Sequence, residues 1–154
     1  MDGWGLSVET NVPALNTTVR FRAIRGSETR VFDFPCKNWT FTPCALWWKG
    51  WFTFGFGWQA VLIAEGDARK VDVALDCYFE ALHALDDCLL VVSGQGIVCI
   101  RPDGAIAWRN ETLAIDGVIV NEIAGGVIAG DGEWDPPGGW RPFRISLSTG
   151  HAVS

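Results

Sequence analysis

A chain of 154 residues, 49% apolar and holding nine Trp and nine Phe, has the length and the apolar content to bury a core as one domain, 1–154, which excludes disorder as its ground state. A formal net charge of −6 excludes a nucleic-acid backbone as the principal partner. Neither a basic n-region nor an apolar h-region opens at Met1, and the longest uncharged run, Gly50–Ala64, is too short and too broken by glycine to span a bilayer, so the expectation is a cytoplasmic protein with no membrane contact.

Along the chain the hydrophobic period is mostly two, the period of a half-buried strand. Thr18–Phe34 is a hairpin: Val19, Phe21 and Ala23 point one way, Arg20 and Arg22 the other, and Gly26 turns the chain. The two arginines offer an anion contact or a plain solvated face. Cys36–Trp48, with Pro43 inside it, reads as irregular and aromatic. Trp51–Gly57 is a strand of bulky rings whose glycines imply a bulge or a close backbone approach. Gln59–Val73 is a second hairpin, around Gly66.

Leu75–Asp87 fits two patterns. Leu75, Phe79, Leu82 and Leu85 trace a rough helical face, whereas the matching place in the next repeat, Gly117–Val120, is β-branched. Consistency between repeats selects strand. Cys88–Ser93, Ile97–Ile100 and Ala105–Arg109 follow as strands, the last two joined by Pro102-Asp103-Gly104. Val118–Ile123, Gly126–Gly130, Phe143–Leu147 and His151–Val153 complete the series.

Four of these hairpins share one design, an alternating run, a glycine turn and a second run, with the turn glycines Gly26, Gly66, Gly104 and Gly150 spaced 40, 38 and 46 residues apart. Such a period marks a supersecondary unit that must stack on its neighbours to bury its apolar face. The expected fold is all-β, with about four stacked hairpin or blade-like repeats in a small or incomplete propeller; a β-sandwich or flattened barrel is the alternative. An open edge invites a second chain, so a homodimer is expected.

The segment Gly96–Trp108, with its apolar strand, Asp103-Gly104 turn and strand ending in Trp108, resembles a quinoprotein-type (PQQ-like) propeller repeat, and Phe143–Ser154 with Ser148-Thr149-Gly150 is a looser copy. The resemblance covers the C-terminal half and implies propeller-like stacking. It carries no catalytic residue across, since the chain has no vicinal cysteine pair and no calcium constellation; no cofactor is expected.

The functional pointer is the insertion Asp131–Pro142, read as a proline-stiffened loop on the binding face. Asp131, Glu133, Trp134, Asp135, Trp140 and Arg141 are the candidate ligand or partner contacts, able to grip a sugar ring or a peptide; the alternative is that Trp134 or Trp140 folds back on the core. Asp131, Glu133 and Asp135 alternate like the start of a calcium loop, but no closing glutamate follows, and no metal is expected. With Asp86 and Asp87 the same acids are the material of a carboxylate-dependent hydrolase acting on a sugar or ester.

His83 and His151 have no elbow-type serine or cysteine, so a nucleophilic triad has no support. Cys36, Cys44, Cys77, Cys88 and Cys99 form no C-x-x-C and read as small buried hydrophobes of a reducing compartment. Asn16, Asn38 and Asn110 open N-x-T sequons that have no consequence without secretion. The aromatic crowd of Trp39, Trp47, Trp48, Trp51, Trp58, Phe41, Phe52, Phe54 and Phe56 reads as core with a residual contact surface. Residues 1–64 hold six basic and four acidic side chains, residues 65–154 six and fourteen. The resulting expectation is a non-catalytic binding protein for an unidentified protein or small molecule, with the hydrolase and a structural assembly subunit as alternatives.

Overall fold

The computed structural model describes residues 3–9, 18–36, 42–135 and 138–154; the sequons at Asn16 and Asn38, the rings of Trp39 and Phe41, and the prolines Pro136 and Pro137 lie outside them. Among the described residues the chain is all-β, without a helix, and forms four antiparallel meanders in which sequence neighbours are also hydrogen-bonded neighbours. It divides into two compact units, Met1–Phe79 and Glu80–Ser154.

The first unit holds two meanders. One comprises β1 (Gly5–Glu9), β2 (Thr18–Arg25) and β3 (Glu28–Pro35); the other comprises β4 (Cys44–Trp48), β5 (Trp51–Phe56), β6 (Gln59–Ala64) and β7 (Lys70–Ala74). Strict alternation sends Val19, Phe21 and Ala23 into the core, where they meet Phe52, Phe54, Phe56 and Val61 from the facing sheet. Phe54 is fully buried, with ring centroids of Phe21, Phe32 and Phe34 at 4.8, 4.9 and 5.1 Å. Tilted ring pairs at this spacing contribute beyond the area they bury.

On the outer side of β2, Arg20 donates two hydrogen bonds to Asp33 at 2.7 and 2.8 Å, and Arg22 donates from Nε to Glu9 at 2.8 Å. Both guanidinium groups are therefore already counter-charged, and the solvated-face reading of this pair is the one the geometry favours over an anion site. Glu65, in the β6–β7 turn, accepts from Trp4 Nε1 at 3.1 Å and pairs with Arg25 at 2.7 Å, while the Arg25 guanidinium lies 4.4 Å from the Trp4 ring centroid. The Trp4 N–H, and then Arg25, hold the Glu65 carboxyl below its usual range.

One sequence reading is corrected here. Cys44–Trp48 is not irregular but the strand β4, joined to β5 by Lys49 and Gly50 with Trp48 opposite Trp51. Both turn residues take positive φ (48° and 85°), as a two-residue hairpin turn requires. Lysine at the first position hides that turn from a search for Asn-Gly or Asp-Gly.

The second unit holds β8 (Phe79–Ala84, beginning on the boundary residue), β9 (Leu89–Ser93), β10 (Ile97–Ile100) and β11 (Ile106–Asn110) in one sheet, and β12 (Val118–Ala124), β13 (Val127–Trp134) and β14 (Gly139–Ser146) in the other. Within the ambiguous Leu75–Asp87 segment, Phe79–Ala84 is strand, as repeat consistency selects, and the flanking residues are not. Leu90, Val92, Ile97 and Cys99 from the first sheet pack with Val118, Ile128 and Ile145 from the second.

The four glycine turns hold equivalent places. Gly26, Gly66 and Gly104 each join the last two strands of a meander, and Gly150 leads β14 into a single bridge, Ile145 to Ala152, where the sequence pattern calls for a full strand over His151–Val153. Gly26, Gly104 and Gly150 adopt left-handed φ of 58°, 87° and 72°. Two successive repeats are locked at this point: Trp108 Nε1 donates to the Leu147 carbonyl at 2.9 Å, Asn110 Nδ2 donates to the Gly150 carbonyl at 2.7 Å, and the Trp108 ring lies where a Cβ on Gly150 would be.

All five cysteines are free; Cys36, Cys77, Cys88 and Cys99 are buried and Cys44 half-buried. Burial beside Cys88 pushes the Cys99 thiol up to about 12, which keeps it protonated and unreactive. On β8, burial lowers the His83 imidazole below its ordinary 6.5. The neutral ring is thus favoured by folding, so its contribution is intact above the unfolded pKa and is lost as acidification charges the unfolded chain first. Denaturant midpoints are expected to fall between about pH 7 and pH 5, and His83→Gln is expected to flatten that slope. An unchanged slope in the variant removes His83 from the account.

Candidate functional site

Most of the insertion Asp131–Pro142 is strand rather than loop: Asp131–Trp134 belongs to β13 and Gly139–Pro142 to β14. β13 and β14 run through it as a paired ribbon, flanked by β12 at Asp131 and Gly132, with Asp131 opposite Pro142, Gly132 opposite Arg141, Glu133 opposite Trp140 and Trp134 opposite Gly139. Its tip closes where Gly138 N–H donates to the Asp135 carbonyl at 2.6 Å. The ribbon is hard to see in sequence because two of its inward positions are glycine, which leaves no apolar alternation to read. Gly132 has a structural cause: a Cβ there would overlap the Leu113 carbonyl oxygen, so the Leu113–Gly117 segment lies against the strand only because the side chain is missing. That segment is laced on by Ile115 N–H to Glu133 O and Glu133 N–H to Gly117 O, each 2.8 Å.

Because Glu133 sends its N–H toward Gly117, its pairing with Trp140 across β14 is the non-hydrogen-bonded kind, in which side chains stand closest. The same parity places Pro142 at a non-hydrogen-bonded pair, so its missing donor faces the open edge of β14 and costs the ladder nothing. The strands therefore sort the six candidate residues into three groups. Asp131, Glu133 and Trp140 share the outer face; Trp134 and Arg141 share the opposite face, with the guanidinium 5.9 Å from the indole centroid; Asp135 sits exposed at the tip.

On the outer face Trp140 and Glu133 lean over Gly117, whose missing Cβ would lie 3.1 Å from the ring and 3.3 Å from the carboxylate. Trp140 is 49% exposed, so it does not fold back to cap the core. Ile119, 50% exposed, and the exposed Pro142 stand on either side of Asp131 on the same face. A register shift between Val120 and Glu122 swings Asn121 over to donate from Nδ2 to Asp131 Oδ2 at 2.7 Å. Ile119 and Asn121 escape sequence reasoning as site residues: Ile119 reads as an ordinary β-branched core residue, and the bulge that aims Asn121 has no local signature.

Carboxylates at alternate strand positions are spread about 7 Å apart along one face rather than wrapped round a point. That is the reverse of what a calcium loop does. Asp86 and Asp87 lie in the turn between β8 and β9, both exposed. The electrostatics are one-sided. The second unit holds four arginines against ten carboxylates, and the first eight basic against eight acidic, so the net −6 resides in the unit that carries the ribbon.

The first unit contributes a cleft of about 470 Å³ that sequence reasoning missed altogether, lined by Pro35, Cys36, Trp58, Gln59, Asp72 and Ala74 among others. It forms where the ends of β3, β6 and β7 meet, a convergence of segments nearly forty residues apart. No family model matches the chain, and no curated protein matches it. Among the described residues no helix is long and apolar enough to cross a membrane.

Proposed function

We propose that this chain is a non-catalytic contact protein built on blade-like repeats that stack as in a propeller, and that it engages a partner through the outer face of the β13–β14 ribbon. The observation that carries the reading is Trp140, half-exposed on the same face as Pro142 two positions along its own strand, with Glu133 directly opposite, Asp131 on the diagonal and the exposed Ile119 beyond Asp131. A rigid aromatic anchor with an apolar neighbour and a charged rim is the arrangement from which binding hot spots are made. The partner that fits is a protein segment with apolar and basic side chains, because ribbon and unit are both acidic. Against hydrolysis, Asp131 is already engaged by Asn121. The same like charges oppose pairing of this face with its own copy, so a homodimer would use the open sheet edges instead.

The test is fluorescence titration with two synthetic peptides, one alternating Lys with Leu and one alternating Glu with Leu, at low and high salt. The basic peptide is expected to bind in a salt-sensitive way, with Trp140→Ala weakening it at least about tenfold and Glu133→Gln less. Equal binding of the two peptides, or full binding by Trp140→Ala, overturns the reading. Light scattering on the same samples reports the homodimer.

A further inference from the structure

We infer that the cleft at the end of the first unit binds one ring of a neutral polyhydroxylated ligand, a monosaccharide unit. This rests on residues independent of the ribbon. The antiparallel register of β6 and β7 pairs Gln59 with Ala74 and Val61 with Asp72, which puts the Gln59 amide and the Asp72 carboxylate on the same face, on a diagonal. Val61 on that face belongs to the core shared with the facing sheet; Gln59 and Asp72 lie at the margin of the same face, where Gln59 is half-buried and Asp72 stays 64% exposed at the mouth of the cleft. Pro35 and Cys36, at the end of β3, line the cleft from the facing sheet. Trp58, in the β5–β6 turn and 48% exposed, adds the indole.

Each part has a use for a sugar ring. A half-exposed indole is a rigid, flat surface for the C–H face of a pyranose, at little ordering cost. A carboxylate accepts from two hydroxyls, and a primary amide both donates and accepts, so the pair satisfies hydroxyls that no apolar pocket would desolvate. The volume lies within the range of small-molecule sites. Charge selects a neutral ligand. Lys70 stands on the same face and pairs with Asp72 at 3.5 Å, so that face is already balanced and asks for hydrogen bonds rather than for a counter-ion.

The experiment is an ¹H–¹⁵N titration of the full chain with methyl glucoside, methyl galactoside and methyl mannoside, following the Trp58 indole and Gln59 side-chain amide signals. Tetramethylammonium and glucose 6-phosphate serve as the cationic and anionic comparisons. At least one neutral glycoside is expected to give saturable shifts at both signals in the millimolar range. Trp58→Ala should abolish binding, and Asp72→Asn should weaken it about tenfold, the loss of a hydrogen bond to a charged acceptor. A linear trisaccharide of the best sugar distinguishes a free monosaccharide, bound no more tightly, from the end of a glycan chain, bound more tightly. Absence of saturable shifts with every neutral glycoside, preference for either charged probe, or full binding by Trp58→Ala overturns the inference. Both substituted residues are exposed, so the variants should fold, and dispersed spectra check that they do.

Discussion

Gly150→Ala is expected to lower the melting temperature by about 6–12 °C, the equivalent of roughly 3 kcal/mol in a chain of this size. Two costs add. Gly150 has φ of +72°, a conformation that costs an L-residue about 1–2 kcal/mol, and its new methyl group would fall inside the Trp108 ring. Trp108 cannot simply step aside, because its Nε1 is committed to the Leu147 carbonyl and its ring belongs to the second unit's core. Gly125→Ala supplies the comparison: it shares the positive φ, 58°, but a Cβ there meets nothing within 4 Å, so only the backbone cost remains. Thermal melts of the two variants should differ by about a third to two thirds of the Gly150 effect. Equal losses would mean that the Trp108 contact does not lock the two repeats.

Phe54→Ala is expected to cost as much or more, about 3–5 kcal/mol, or about 6–20 °C in melting temperature. The ring is fully buried among Phe21, Phe32 and Phe34, and those neighbours sit on strands held in register, so they cannot collapse far into the void. Val31→Ala, on the outer side of β3 and 48% exposed, should stay within about 0.5 kcal/mol in the same urea titration. A loss below about 1 kcal/mol for Phe54→Ala would place the interface between the two sheets elsewhere.

These two residues also mark what the sequence discloses. Alternation around Phe21 and the spacing of the turn glycines are local signals, and both lead to the observed hairpins, because a half-buried strand with a glycine turn leaves its mark on consecutive residues. The docking of Trp108 on Gly150 is a contact across about forty residues, and only the likeness between repeats hints at it. β4 stayed hidden behind a turn that opens with lysine. The ribbon failed for a different reason: Gly130 and Gly132 stand where apolar residues would announce the inner face, and proline suggested a loop although Pro142 needs no donor at its position. The sequence names the six candidate residues but does not assign them to faces; strand parity separates Trp134 and Arg141 from Trp140. The cleft at Trp58 is assembled from three strand ends and has no linear signature at all.

The contact face proposed here exists only if residues 131–142 form paired strands with Glu133 directly across from Trp140. A nuclear Overhauser spectrum measures this most directly, since a non-hydrogen-bonded antiparallel pair brings its two Hα atoms into close contact. A strong cross-peak between the Hα atoms of Glu133 and Trp140, together with slow exchange of the Glu133 amide, is the expected result. Sequential cross-peaks alone through this stretch, with a fast-exchanging Glu133 amide, would contradict it and dissolve the face on which Asp131, Glu133 and Trp140 meet.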